Sequence, residues 1–492
     1  MLDVTVRQAA ERWGDATWMV GPSGWALTYS ELDRLSDEVA VGLLERGITE
    51  GSVVAIALPS IPEYSVIYAA AAKVGAITAG VNHRLTSSER DAVIASAAPS
   101  IVIATDELAP ARDDVVIITP TSETESALDA VRRAGAPGRL ARDDDRPIAI
   151  VFTSGTTGLP KGAVFSGRQL DFICGVDTGH RWGGGAPGLS ATSLAHLGPT
   201  TKMVGNLHRG GTIHLLDRWR AADALALTER FSMPAVAGIP TQVTLMMRHP
   251  DFETTDVSSV QAIIIGGGPA TPSLVREARE RFGAAVATRY ACTEAGVGLG
   301  TGFADDPEDA EVSVGRPHPG VELSLCDVES GESVAAGAVG EVCLRSPAVM
   351  SRYWRDEAAT AAAFTADGFV RTGDLGRLDS VGRLCLVGRA KEMFVRGGYN
   401  VYPMEVEAAL ADHPDVEQIA VVPRPDDVMG ELGVAVVVPT PGAQPTLDAL
   451  RASAAPRLAR HKLPEDLVVV DALPLTPMEK LDRAALARLI GE

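Results

Sequence analysis

The chain has 492 residues with 64 acidic and 44 basic side chains, giving a formal net charge of −20 and a pI near 4.9. With 46% hydrophobic and 22% charged residues the composition is globular, at roughly three domain-equivalents of length, which excludes disorder as the main state. So acidic a balance also argues against nucleic acid or an anionic membrane as an obligate partner, because both need a cationic face. No apolar run approaches the ~18 residues of a bilayer span; the richest, 67–80, is interrupted by Lys73. The opening MLDVTVRQAAERWGD has neither the basic start nor the apolar core of a signal peptide. Cys174, Cys292, Cys326, Cys343 and Cys385 are odd in number and form no CxxC pair, which reads as thiols in a reducing compartment. The expected setting is cytoplasmic, without stable membrane insertion. Lysine is scarce, with six (73, 161, 202, 391, 462 and 480) beside 38 arginines.

In chain order, helical patterns such as SELDRLSDEVAVGLLERG alternate with short apolar runs such as SVVAIALP, SIVIATD and DVVIITP. Strand–helix alternation of this kind predicts parallel α/β layers. The polar stretch 123–147 breaks the pattern and is expected to cross the surface. The alternation returns at GGTIHLLD, AVAGIP, VQAIIIGGGPA and AAVATRYACTE. After about residue 312, short β-runs punctuated by glycine (VELSLCD, GEVCLRS, RLCLVGR, EMFVRGGYNV) predict hairpins or a small barrel-like layer. From Pro403 a helix, two strands, the helix TLDALRASAAPRLAR and a final strand–helix segment make a compact α+β unit with a boundary near 389–391. No repeat of 20–50 residues is present.

The strongest chemical signal is IAIVFTSGTTGLPKG, 148–162. An apolar strand runs into hydroxyls and glycines (Thr153, Ser154, Gly155, Thr156, Thr157) closed by Lys161. Small residues let backbone N–H groups converge on phosphate oxygens, and the hydroxyls add donors. It is not a Walker A loop: Pro160 stands at the second glycine position, and Gly162 replaces the magnesium-binding Ser/Thr.

This loop resembles that of the adenylate-forming superfamily, which includes acyl-CoA synthetases, luciferases and peptide-synthetase adenylation domains. The resemblance extends over nearly the whole chain through RYACTE (289–294), RTGD (371–374), VGRAKE (387–392), RGGYNVYP (396–403) and TPMEK (476–480). It implies a large N-terminal body of layered α/β subdomains plus a β-rich subdomain (1–388), a hinge (389–391) and a small mobile C-terminal α+β lid (392–492). It also implies ATP, Mg²⁺ and coenzyme A as cofactors. A carboxylate must attack the α-phosphate and expel pyrophosphate, so anionic charge has to be neutralised twice. Glu294 suits a hard cation, and Thr293 offers a hydroxyl to a phosphate oxygen. Tyr290 is expected to stack on adenine, with Gly266, Gly267 and Gly268 admitting backbone to the purine edge. Asp374 would accept the ribose hydroxyls, with Arg389 as a second ribose or phosphate contact. Lys391 matches the hinge. Lys480 would bridge substrate carboxylate and α-phosphate, and Arg396, Gly397 and Gly398 would line the pantetheine tunnel. His196 matches a histidine near the acyl or thiol channel, although a structural role explains it as well. Trp182, Met203 and 239–247 are candidates for the acyl pocket, with core packing an equal explanation.

Three positions depart from the family. Glu479 replaces the small residue usual before the C-terminal lysine, Met478 stands where Ser- or Thr-like residues are common, and Ala291 replaces the glycine of the Tyr-Gly-x-Thr-Glu motif. The implied function is a carboxylic acid–CoA ligase working through an acyl-adenylate, on a medium-to-large hydrophobic acid. Two alternatives stay open: a thioesterifying enzyme whose adenylation step is impaired by Glu479, and a stand-alone adenylating enzyme loading a separate carrier protein. A homodimer is also left open.

Overall fold

The computed structural model describes residues 1–120, 125–153, 160–476 and 481–491. Ser154, Gly155, Thr156, Thr157, Glu479 and Lys480 lie outside the described residues.

The first layer is a six-stranded sheet in the order Val115–Ile117, Ile101–Ala104, Val53–Ala57, Ile77–Gly80, Pro147–Thr153, Lys161–Ser166. All neighbours are parallel except the last pair. Every residue of Val53–Ala57 is buried, as a parallel strand covered on both faces requires. Helix Tyr29–Glu45 starts at a capping box, in which Thr28 and Glu31 satisfy each other's backbone N–H groups, and buries Leu32, Leu35, Val39 and Leu43 as one stripe. It packs on the buried helix Pro62–Lys73. Lys73, fully buried at the end of that helix, pairs with Asp33 at 2.6 Å and Asp37 at 2.7 Å.

The stretch expected to cross the surface is partly core. Leu128 and Val131 are buried, and the Val131 carbonyl rests where a Cβ on Gly42 would be 1.9 Å away. Arg132 pairs with Glu38 and Glu125, binding the segment to helix Tyr29–Glu45. Isolated apolar residues in a polar run carry no periodicity, which is why the sequence pattern hides them.

A five-stranded sheet follows, ordered Ala235–Gly238, Ala262–Gly266, Ala285–Tyr290, Leu299–Gly300, Arg316–Pro317, parallel over its first three strands. A four-stranded sheet joins Ala26–Thr28 and Thr17–Val20 to Ile213–Leu215 and Gly188–Ser190. The β-rich stretch after residue 312 forms an antiparallel four-stranded sheet, Glu322–Cys326, Gly340–Arg345, Val370–Leu378, Leu384–Arg389.

The C-terminal sheet takes Tyr399–Val401, Phe394–Arg396, Gly430–Pro439 and Val416–Asp426, with Asp466–Val469 parallel to Gly430–Pro439. Its apolar clusters, around Phe394, Val406, Leu410 and Leu450 and around Val422, Val434 and Leu486, share no residue with those of the body. The helix expected over TLDALRASAAPRLAR stops early, at Ala454; Pro456 disfavours helical geometry in the residue before it. Among the described residues, no helix is long and apolar enough to cross a membrane.

Candidate active site

Strand ends from three sheets meet around one cavity of about 1350 Å³. On one side lie Thr153 and Lys161, Gly266 and Gly267, Thr293 and Glu294, and the run Thr372–Gly373 followed by Arg389, Lys391 and Glu392. Thr153 and Lys161 face each other as register partners at the ends of antiparallel strands, so both flank the loop 154–159. The Lys161 ammonium sits 5.2 Å from the centre of the Tyr353 ring. Tyr353 in turn donates its hydroxyl to Glu294 Oε1 at 2.6 Å. The phosphate-loop lysine and the proposed metal carboxylate are thereby linked through one aromatic side chain. Gly267 follows its strand at φ +76° and carries no side chain to narrow the cavity.

The Thr372–Asp374 segment is locked from behind. Glu341 is buried, pairs with Arg371 through Nε at 2.7 Å, and accepts the Gly373 N–H at 3.0 Å. Thr372 donates to the Val342 carbonyl at 2.7 Å and accepts from Asp374 N at 3.1 Å. Asp374 is buried at this wall; Arg389 Nε lies 2.9 Å from its Oδ1, and the Tyr290 hydroxyl donates to Oδ2 at 2.8 Å. Burial opposes the charge on Arg389, yet Asp374 and Glu392 hold its pKa above the ordinary value. Burial and the neighbouring carboxylates push the Cys292 thiol well up, leaving it a neutral wall residue.

The other side of the cavity is mainly apolar: Met203, Ile213, Ile239, Val243 and Met246 contribute, with Ser190, Gln242 and helix Leu197–Arg209 alongside. His196 is the N-cap of that helix and lines the cavity. Asn82 Nδ2 lies 3.2 Å from His196 Nε2, the arrangement of an amide N–H donating to an unprotonated ring nitrogen. The nucleotide-type residues and the apolar walls thus meet at a helix N-terminus, where a carboxylate is electrostatically favoured.

Residues 6–354 match the AMP-binding enzyme family, and residues 405–480 match the AMP-binding enzyme C-terminal domain. The chain belongs to the AMP-binding enzyme family. It is therefore an adenylate-forming enzyme, as its motifs imply, and AMP-forming acid–thiol ligases are prominent among its relatives. It is 33% identical to a feruloyl-CoA synthase from Amycolatopsis sp over 95% of each chain. It is 32% identical to the indoleacetate–CoA ligase of Aromatoleum aromaticum, over 94% of this chain and 93% of that one. The structure of the amide bond synthetase McbA from Marinactinospora thermotolerans superimposes with a TM-score of 0.88 at 30% identity, covering 100% of both chains.

Against the AMP-binding frame, several sequence expectations shift. Tyr290 does not line the cavity: it is buried, with its hydroxyl on Asp374. The ring expected on adenine thus packs behind the Asp374 carboxylate. Gly268 lies off the cavity, where an added Cβ would meet Pro240 at 3.3 Å. Trp182 is no part of the acyl wall; it stacks on His208 with ring centres 4.1 Å apart and tilts against Trp13. Arg396 pairs with Glu465 inside the C-terminal unit, and Gly397 donates its N–H to the Met429 carbonyl at 2.7 Å. That hairpin, Gly398 included, does not line the cavity in this arrangement. Sequence reading missed Glu341, Tyr353 and Asn82. An apolar strand supplies no cue for the buried glutamate, and Tyr353 and Asn82 lie outside every motif.

Proposed function

We propose that this enzyme is a carboxylic acid–CoA ligase that makes an acyl-adenylate from ATP and then a thioester, on a medium-to-large hydrophobic acid. The carrying observation is the single cavity joining Thr293, Glu294, Arg389 and Lys391 to the apolar walls at Met203, Ile239, Val243 and Met246. Two reactants held in one cavity meet without the entropy cost of a bimolecular encounter.

In the first half-reaction a carboxylate oxygen bonds to the α-phosphorus and pyrophosphate leaves. The acid's carboxylate lies near His196, at the positive end of helix Leu197–Arg209, with its chain along the apolar wall. Asp374 receives the ribose hydroxyls, which requires Arg389 to give up Oδ1. Thr293 donates to a phosphate oxygen, and Lys480 draws carboxylate and α-phosphate together. Among the described residues no group of three His, Cys, Asp or Glu could hold a metal. That fits Mg²⁺, which is commonly held by one carboxylate plus phosphates and water; Glu294 is that carboxylate. When bound, Mg²⁺ neutralises the triphosphate charge. In the second half-reaction the thiol sulfur bonds to the acyl carbon, AMP leaves with the bonding pair, and the thiol proton passes to solvent.

The proposed division into body 1–388, hinge 389–391 and lid 392–492 accounts for the two steps. Rotation at Lys391 would withdraw Lys480 and bring Arg396, Gly397 and Gly398 to the cavity mouth as the pantetheine passage. Mass spectrometry of two parallel reactions tests this reading: acids with ATP, Mg²⁺ and CoA, and pre-made acyl-adenylates with CoA alone. Thioester in both is expected. Thioester from the adenylates alone would replace it with the thioesterifying alternative. Acyl-adenylate with thioester only on an added carrier protein would replace the acceptor.

A further inference from the structure

The acyl wall carries charge that a purely apolar acid would leave unused. Helix Leu197–Arg209 turns Gly198, Lys202, Asn206 and Arg209 toward the cavity, spaced as one helical face. Arg209 is spent locally, donating to Asn206 Oδ1 at 3.2 Å and to the Asp177 carbonyl at 2.9 Å. Lys202 is not. Its Nζ stands 3.7 Å from Asp177 Oδ1, beyond hydrogen-bonding range, and it makes no hydrogen bond among the described residues. Asp177 Oδ2 is buried with no hydrogen-bond partner. An ammonium has three donors, so Lys202 keeps donors for a ligand while Asp177 holds it loosely at the wall.

The surroundings are net cationic. Arg289 satisfies itself on the Thr288 and Thr301 carbonyls. Burial, then the charges of Arg289 and Lys202, lower the His318 pKa, which favours its neutral form. Asp177 and, at Arg289, Asp305 are the carboxylates that act on this group. An acid ending in hydrocarbon would strip water from Lys202 and return nothing, and unpaired polar groups in a site are what reject the wrong substrate.

Resting on the ligase reading, with the reacting carboxylate at His196, we infer that the preferred acid carries an oxygen acceptor at its far end, a phenolic oxygen or a second carboxylate, received by Lys202. Six residues of helix separate the two positions, about 9 Å at the α-helical rise. That spacing suits a rigid aryl acid with a para oxygen, or a dicarboxylate of similar reach. Lys202 is thus a specificity-determining residue, and the acid is amphipathic.

The test measures kcat/KM for two matched pairs, 4-hydroxycinnamate against cinnamate and octanedioate against octanoate, with wild type, Lys202→Met and Lys202→Arg. In at least one pair wild type is expected to favour the oxygenated acid by about 10- to 100-fold; the pair that responds distinguishes phenol from carboxylate. Lys202→Met should collapse that ratio to within about threefold, and Lys202→Arg should retain most of it, since a guanidinium still donates with charge. Because each ratio is internal to one protein, partial misfolding does not imitate the result. Wild-type ratios near one in both pairs, or an undiminished ratio in Lys202→Met, overturn the inference and leave the ligase standing. Failure of every acid to release pyrophosphate would overturn the ligase reading itself, and this inference with it.

Discussion

The two ends of the cavity are built by opposite rules. At the end proposed to take the ribose, the carboxylates are paired before any ligand arrives: Glu341 with Arg371 and Gly373 N, Asp374 with Tyr290 and Arg389. At the acyl end methionines and branched aliphatics predominate, and the charged pair there, Lys202 with Asp177, is slack at 3.7 Å. A constant ligand rewards a preorganised polar cradle, because the cost of orienting its groups is met during folding. A variable ligand is served by apolar walls, whose contacts are non-directional. Binding of the shared nucleotide should therefore break sharply on single substitutions, whereas acid choice should shift by degrees.

The largest effect expected is from Lys480→Ala. If Lys480 draws the two anions together only during adenylation, ATP–pyrophosphate exchange should fall by about 10²–10³-fold. Thioester formation from a pre-made adenylate should stay within about threefold of wild type under the same assignment. Equal loss in both assays would make Lys480 a structural residue and remove the division of labour between the lid's two poses.

Asp374→Ala comes next. It removes the ribose acceptor and frees Arg389 and the Tyr290 hydroxyl together, so kcat/KM for ATP should drop by about 10²-fold, the sum of two charge-assisted hydrogen bonds. KM for the acid should move little. A comparable change in acid KM would contradict the separation of the two ends. Tyr353→Phe is gentler. The ring under the Lys161 ammonium stays, and only the 2.6 Å bond to Glu294 is lost. Half-saturation by Mg²⁺ should rise by about 10-fold, the low end for one hydrogen bond to a charged group. Manganese binding followed by electron paramagnetic resonance reads the same shift without turnover. An unchanged metal affinity would mean that Glu294 does not depend on this partner.

The same contrast explains what the sequence disclosed. Backbone-dominated binding leaves compact signatures, since the groups that converge on a phosphate must be close in sequence; 148–162 and 371–374 stand out in the sequence for that reason, as proposed binding segments. The fold layers were readable because buried parallel strands such as Val53–Ala57 are unbroken apolar runs. The apolar wall was readable in part: Met203 and, within 239–247, Ile239, Val243 and Met246 do line the cavity, whereas Trp182, equally apolar, packs elsewhere against His208. Nothing in an apolar residue's identity says which face of a core it meets. Tyr290 makes a related point: its motif gives its neighbourhood, while the hydroxyl contact with Asp374, 84 residues away in sequence, is not written in it.

The smallest effect expected concerns Glu479, where composition and mechanism pull apart. A carboxylate beside Lys480 could pair with its ammonium, repel the triphosphate, or stiffen a loop in which relatives place a small residue. Each would slow adenylation while leaving thioester formation less affected. Yet the body retains the residues that the proposed adenylation would use: Thr293 and Glu294 on the cavity wall, Asp374 fixed behind it, and Lys161 beside Tyr353. A chain that only accepted ready-made adenylates would have no use for a triphosphate lysine or a metal carboxylate. Glu479→Gly should therefore change pyrophosphate release by less than about threefold, an effect under about 1 kcal/mol. A rise of about tenfold or more, with thioester formation from the adenylate unchanged, would show that Glu479 restrains the first half-reaction. The locked ribose end would then serve mainly to hold the AMP moiety of an adenylate made by another enzyme.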